Sequence, residues 1–293
     1  MRSLMKSRVL ITGGAAGIGR AMAARFAADG AHPVLADIDE VRVQEAAEQL
    51  RAAGHTASAH QLDVTDPGGV AAARERILAE GPIDVLVNNA GTVFGGYFQD
   101  VPLDRHLATL RVNALGPVIV THAFLADLID RPEAHVVNIA SLAGYGGGVR
   151  ASTYAASKWA VIGFSESLEL ELRAQGYHHV HVTTVCPGVV STGLFEGARP
   201  LRLTRIVTPD QVADRVASGV LHDRAYVRLP WLVQVAPLLR GVLPHRAFNA
   251  VVGAFGGSTT MDGWTGHAGA AAAGAPGKRT STERAEGYRP TSV

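Results

Sequence analysis

What most limits the fold of this chain is a rotation of two patterns through its first two-thirds. Short β-branched runs at 8–12, 33–38, 56–64, 83–88, 135–140 and 180–186 alternate with alanine-rich helical stretches at 17–30, 40–53, 67–80, 103–129 and 153–175. Several runs, such as Val85-Leu86-Val87 and Val136-Val137-Asn138-Ile139, are apolar almost throughout rather than at every second position. A strand covered on one face alternates, and a strand covered on both faces does not. The rotation therefore predicts right-handed crossovers and an α/β fold: a doubly wound, mostly parallel sheet flanked by helices, as a single domain over residues 1–262.

Two regions break the rhythm. Residues 189–208 lack periodicity and follow a strand end, as a substrate-binding loop does. Residues 229–255 are apolar with prolines at 230, 237 and 244, which predicts a C-terminal helical extension of two short helices broken near the prolines. Residues 263–293 turn to Ala, Gly, Ser and Thr without an apolar period, and are predicted to be a disordered tail.

Composition then excludes whole classes of function. The 27 Lys+Arg nearly balance the 26 Asp+Glu, so no basic surface points to nucleic acid as a partner. A single cysteine excludes an internal disulfide framework and a Cys-cluster metal site, and it fits a reducing, cytoplasmic compartment. No apolar run reaches the roughly 18–20 residues needed to span a bilayer. The first eight residues lack the apolar stretch of a secretory signal.

The segment Thr12-Gly13-Gly14-Ala15-Ala16-Gly17-Ile18-Gly19 follows the first predicted strand and opens the first helix. Glycines there allow a tight turn and close approach to a pyrophosphate, whose charge the helix N-terminus favours. In a chain with 33 glycines such a match is weak alone. An acid at Asp37 strengthens it, 18 residues beyond Gly19, near the spacing of about 20 for a ribose-binding carboxylate. The bland alternative is a structural turn and a solvated strand-end acid. A carboxylate at that place repels the 2′-phosphate of NADP, which carries about −1.5 to −2, and the next residue is Ile38 rather than a cation. NAD is favoured over NADP; Arg42 could bend back, but an exposed helix position is the expectation for it.

Tyr154-Ala155-Ala156-Ser157-Lys158 starts a helix, and a spacing of four puts Tyr154 and Lys158 on one face. A tyrosine with a pKa near 10 needs roughly 4 kcal/mol to drop by ~3 units, and an ammonium about 4 Å away supplies that at an effective dielectric of 20. The pair is thus a candidate general acid/base, although such pairs are everyday on helix surfaces. Ser141 lies just past an apolar strand, and Asn113 sits among residues facing a core, where a structural hydrogen-bonding role competes with a functional one.

Taken together these residues resemble the short-chain dehydrogenase/reductase family. The matching motifs are Thr-Gly-x3-Gly-Ile-Gly at 12–19, Asp63-Val64, Asn88-Asn89-Ala90-Gly91, Asn113, Ser141, Tyr154 with Lys158, and Pro187-Gly188 with Thr192, in order across about residues 8–192. The resemblance implies a Rossmann fold and an NAD(P)-dependent oxidoreductase acting on CH–OH groups. It implies that Tyr154 is the acid/base, that Ser141 bonds the substrate oxygen, and that Lys158 binds the nicotinamide ribose and depresses the Tyr154 pKa. Asn113 would hold a water linking Lys158 to solvent. Thr12, Gly13, Gly17, Ile18 and Gly19 would cradle the pyrophosphate. Asp63 and Val64 would meet the adenine, Asn89, Ala90 and Gly91 the adjoining ribose site, and Pro187, Gly188 and Thr192 the nicotinamide, with Val190 also counted among the cofactor-binding residues. A homodimer or homotetramer is the implied assembly.

Substrate choice is expected from residues 142–150, the 189–208 loop and the 229–255 stretch. They offer Tyr145, Leu194 and Phe195 and no evident carboxylate clamp; Arg150, Arg199 and Arg202 are expected in solvent. That favours an apolar alcohol or ketone, lipid- or steroid-like, oxidised with NAD. The rival is an NADPH-linked reductase of acyl or polyketide-like ketones; a non-catalytic dinucleotide-binding scaffold is the reading from another class. The 229–255 stretch is read as core or interface, as a lid over substrate, or as a peripheral membrane patch. His179 and His181 share a strand face with no carboxylate nearby in sequence, so a surface strand edge and no metal are expected. Cys186 is expected as a small buried hydrophobe.

Overall fold

A computed structural model describes residues 1 and 3–266 of the chain. Seven parallel strands form one sheet in the order β3-β2-β1-β4-β5-β6-β7. They are β1 (Arg8–Thr12), β2 (His32–Asp37), β3 (Ser58–Gln61), β4 (Val85–Asn88), β5 (Ala134–Ile139), β6 (Val180–Pro187) and β7 (Tyr226–Leu229). The first six match the predicted runs, with β3 trimmed to four residues. The seventh was not foreseen, because Tyr226-Val227-Arg228-Leu229 is too short for a period to show.

Between strands run α1 (Gly17–Ala28), α2 (Glu40–Ala52), α3 (Pro67–Ala79), α4 (Leu103–Leu110), α5 (Gly116–Ile129), α6 (Ser152–Ala174) and α7 (Pro209–Leu221). Their starts are local chemistry: Asp39 and Asp66 accept backbone N–H bonds at the starts of α2 and α3. Thr208 and Gln211 form a reciprocal capping box at α7, with Pro209 in its first turn. Met22 and Phe26 of α1, Val43 of α2 and Val212 and Val216 of α7 bury against one sheet face. Ile77 of α3, Phe124 and Leu128 of α5 and Leu168 of α6 bury against the other. Each fully buried side chain of this size contributes about 1.5–3 kcal/mol. The sheet is covered on both faces, which is why its strands do not alternate.

α4 and α5 are one helical run joined by a π-helical turn, Arg111–Leu115. Among the described residues this run, Leu103–Ile129, is long and apolar enough to cross a membrane by length and composition. This corrects the expectation that no apolar run reaches that length; Asp104, Arg105, Arg111 and Asp127 interrupt the run in sequence and hide its overall apolar character. In the fold it buries Val120, Phe124 and Leu128.

The 229–255 stretch yields α8 (Trp231–Val242) and α9 (His245–Ala254). The break falls at Leu243-Pro244, while Pro237 is accommodated inside α8. Of the expected tail, 267–293 lies outside the described residues. Its first residues are held in place: the Trp264 indole donates to Leu194 O at 3.1 Å, and Thr265 N donates to Glu196 O at 3.0 Å.

Candidate active site

The strand order reverses direction between β1 and β4, and a parallel sheet opens a crevice at the carboxyl ends of strands at such a point. Both loops there are bonded to each other. Thr12 Oγ1 accepts from Asn89 N and Ala90 N, and Asn89 Nδ2 donates to Thr12 O and Gly13 O at 2.9 and 3.0 Å. Gly13 has φ +64°, and a Cβ at Gly19 would stand 2.1 Å from Gly13 O. The backbone thus folds onto itself in a way that side chains would block.

A cavity of about 380 Å³ runs along this edge. Of the residues predicted to bind cofactor, Gly13, Gly17, Ile18, Asp37, Asp63, Val64, Asn89, Ala90, Gly91, Tyr154, Lys158, Pro187, Gly188, Val190 and Thr192 line it. Thr12 and Gly19 stand behind it and hold the loop. Asp37 is fixed at its rim, accepting from Ala15 N at 3.1 Å and Asp39 N at 3.2 Å. Arg42 is exposed as expected, yet it also lines this cavity. The glycine cradle, the helix N-terminus of α1 and the rim carboxylate fit a nicotinamide dinucleotide. Sequence reasoning passed over Leu62, Thr92, Val112 and Ala140 in the same wall, since apolar and small residues carry no spacing signal.

At the other end of the cavity four elements converge. Ser141 follows β5, Tyr154 and Lys158 belong to the first turns of α6, and Asn113 sits in the π-helical turn. All four are buried. Lys158 Nζ donates to Ile139 O at 2.8 Å and lies 5.7 Å from the Tyr154 ring centroid. The Asn113 amide is occupied by protein: Oδ1 accepts from Thr92 N, and Nδ2 donates to Thr92 O and to Ser157 Oγ. Ser157 in turn donates to Tyr154 O at 2.7 Å. Asn113 therefore clamps the Thr92 loop to the helix carrying Tyr154, which is the competing structural role foreseen for a buried asparagine.

The electrostatics correct one expectation. Burial pushes the Tyr154 phenol up to about 12, with only a hydrogen bond to Ser141 opposing it. Burial also lowers the Lys158 ammonium to about 8. The expected depression of Tyr154 by Lys158 is absent because desolvation of the phenolate outweighs a cation held at this range and itself desolvated. At neutral pH Tyr154 is a protonated phenol beside a cationic Lys158.

A second cavity of about 210 Å³ opens on the far side of Tyr154. Its walls are apolar: Leu142, Tyr145 and Val149 after β5, Phe195 and Leu201 from the 189–208 loop, and Leu232, Val233, Phe248 and Val252 from α8 and α9. The 229–255 stretch is thus the wall of this cavity. Tyr145 turns its hydroxyl away from the apolar lining, accepting from Arg228 Nε at 2.9 Å and from Cys186 Sγ at 3.4 Å. Cys186 is fully buried, as expected. Arg150 departs from its expected solvated place: its guanidinium lies over the Tyr97 ring at 4.7 Å and its Nε is buried.

Comparison with known proteins matches residues 7–202 to the family model described as short chain dehydrogenase. The chain is 32% identical over 260 residues to epidermal retinol dehydrogenase 2 of Homo sapiens, covering 87% of this chain and 84% of that protein. It is 35% identical over 231 residues to 1-deoxy-11-beta-hydroxypentalenate dehydrogenase of Streptomyces exfoliatus, covering 76% and 83%. A short chain dehydrogenase/reductase from Burkholderia phymatum, solved with NAD, superposes with a TM-score of 0.74 at 27% identity, covering 86% of this chain and 97% of that one. A metagenomic short-chain oxidoreductase solved with NADP gives 0.64 at 31% identity, covering 77% and 96%.

Proposed function

Because the chain belongs to the short chain dehydrogenase family, we propose that it is an NAD(H)-dependent enzyme interconverting an apolar secondary alcohol and its ketone. One observation carries this reading: Ser141, Tyr154, Gly188 and Phe195 line both cavities. A molecule in the apolar cavity and a dinucleotide in the glycine-lined one meet at the Tyr154 and Ser141 hydroxyls.

The dinucleotide, when bound, supplies the nicotinamide ring that takes or gives hydride. Tyr154 Oη exchanges a proton with the substrate oxygen, and its protonated state at neutral pH makes it a ready donor to a ketone oxygen. Ser141 Oγ bonds the same oxygen and holds it in reach. Lys158, held by Ile139 O beside the Tyr154 ring, lines the dinucleotide cavity, where its ammonium can bond the nicotinamide ribose. The apolar walls exclude water and select the carbon skeleton. Relatives named for retinol and for a 17-beta-hydroxysteroid support this substrate class.

NAD is supported by Asp37, whose carboxylate is fixed at the rim and repels a 2′-phosphate by several kcal/mol before solvent screening. The NADP reading draws on Arg42, which lines the same rim. A homodimer or homotetramer is supported by exposed apolar side chains on the Leu103–Ile129 run, namely Leu103, Leu107, Leu115 and Val118.

The test is a dehydrogenase screen following NADH absorbance over terpenols, long-chain secondary alcohols, steroids and polyols. Turnover of the apolar classes is expected. Turnover confined to sugars and polyols would overturn the substrate assignment.

A further inference from the structure

At the opposite end of the sheet from Tyr154, the amino ends of β5 and β6 bring two imidazoles and two carboxylates together. His135 and His181 are register partners on adjacent strands, with ring centroids 5.7 Å apart. β6 pairs with β5 from Val180 but with β7 only from Thr184 onward, so His181, partly exposed, has a strand neighbour on one side only, at the strand edge that its sequence suggested. Asp223, in the turn after α7, places Oδ1 3.9 Å from His135 Nδ1 and 3.8 Å from His181 Nε2. Glu133, just before β5, completes the group: one ligand atom each from Glu133, His181 and Asp223 lie within 4.8 Å of one another.

His135 is the independent pointer to a ligand. It is wholly buried, and its Nδ1 has no hydrogen-bond partner among the described residues. Its tautomer follows from its neighbour. Thr183 Oγ1 donates its proton to Arg224 O at 2.6 Å, so at 2.6 Å from His135 Nε2 it must accept. The proton is on Nε2, and Nδ1 presents a bare lone pair toward Asp223. A ring nitrogen backed in this way by a hydrogen bond from its other nitrogen is the arrangement of a metal-ligating histidine.

We infer that His135 Nδ1, His181 Nε2, Asp223 and Glu133 form a site for a divalent transition-metal ion, with zinc as the reference ion. Ligand atoms about 2.0–2.2 Å from zinc stand about 3.4 Å apart in a tetrahedron, so the two His–Asp separations must close by about half an ångström, and the Glu133, His181 and Asp223 atoms, a group within 4.8 Å that does not include His135, must draw in further toward its Nδ1. Glu133 and Asp223 are each 38% exposed and free to adjust, while His135 is the fixed anchor. Two carboxylates carry the charge that a divalent cation neutralises, and the two imidazoles supply nitrogen ligands. The carboxylate side already attracts a cation: the Met1 ammonium bonds Glu133 at 3.0 Å and also Asp223. A divalent ion displaces it from both carboxylates and takes the imidazole lone pair that the ammonium leaves idle. Six residues of strand separate His135 from Ser141, about 20 Å at the usual rise, so the ion ties α7, β5 and β6 together and takes no part in chemistry at Tyr154.

The test uses the full chain without a polyhistidine tag, stripped with chelator. Calorimetric titration with zinc chloride should show one saturable site per chain, and cobalt(II) should give the visible absorption of a nitrogen-ligated, low-coordinate ion. His181→Ala and Asp223→Asn, both at partly exposed positions, should each weaken zinc binding at least about tenfold. His178→Ala, an exposed neighbour, should bind as the parent does. Dehydrogenase activity, read separately, should be unchanged in all three. Absence of saturable zinc binding by the parent chain, or undiminished affinity in both His181→Ala and Asp223→Asn, would overturn the assignment.

Discussion

The Phe195 ring meets the Tyr154 ring edge to face, with centroids 5.4 Å apart and planes at 77°. Phe195 belongs to the aperiodic loop after β6, and it lines both cavities. A loop residue thus sets the position of the phenol on which the proposed chemistry rests. Such a pair is worth about 0.5–1.5 kcal/mol beyond its buried area. Phe195→Ala should therefore lower kcat/KM about 2–12-fold on the best alcohol of the screen, with Phe195→Leu in between. Steady-state kinetics of the two variants checks the order.

Tyr154→Phe removes only the hydroxyl and keeps the ring that packs against Phe195. Turnover should fall by about 10²–10⁴-fold, the range for loss of a positioned acid/base. Dinucleotide affinity, read by fluorescence titration, should stay within about threefold. Full turnover in this variant would refute the assigned mechanism.

Asp37→Ala should shift the ratio of NADP to NAD affinity toward NADP by about tenfold or more, because it removes the rim carboxylate facing the 2′-position. Arg42→Ala in the same background should weaken NADP binding and leave NAD little changed. Paired titrations with the two cofactors separate the two side chains.

Lys158 carries a pH signature with a definite sign. Its folded-state value is lowered from 10.5 to about 8, so between those values the unfolded chain holds the proton and the folded chain does not. Stability then rises with pH across that window relative to a chain without the group. Comparing urea midpoints of the parent and Lys158→Met from pH 8 to pH 10 should show the difference growing in favour of the parent. A flat difference would mean that Lys158 is solvated.

Much of this was legible from residue order. The glycine loop, Asp37, Asn89, Tyr154 and Lys158 stand on or beside elements whose periods are local, so their convergence on one edge followed from a parallel sheet. The rest had no local signal. β7 is four residues long, and the walls of the apolar cavity are side chains such as Leu232 and Phe248 whose spacing describes any buried helix.

The sequence by itself determined the doubly wound sheet and the glycine loop that lines its dinucleotide-binding edge. Those depend on hydrophobic period, glycine and helix starts, all encoded within a few residues. Only the tertiary structure decided that α8 and α9 wall the second cavity, and that burial holds the Tyr154 phenol high instead of letting Lys158 pull it down. It alone set His135 beside His181 and Asp223, residues separated by 46 and 88 positions along the chain. Desolvation and long-range juxtaposition are properties of the packed interior, and no local pattern of residues carries them.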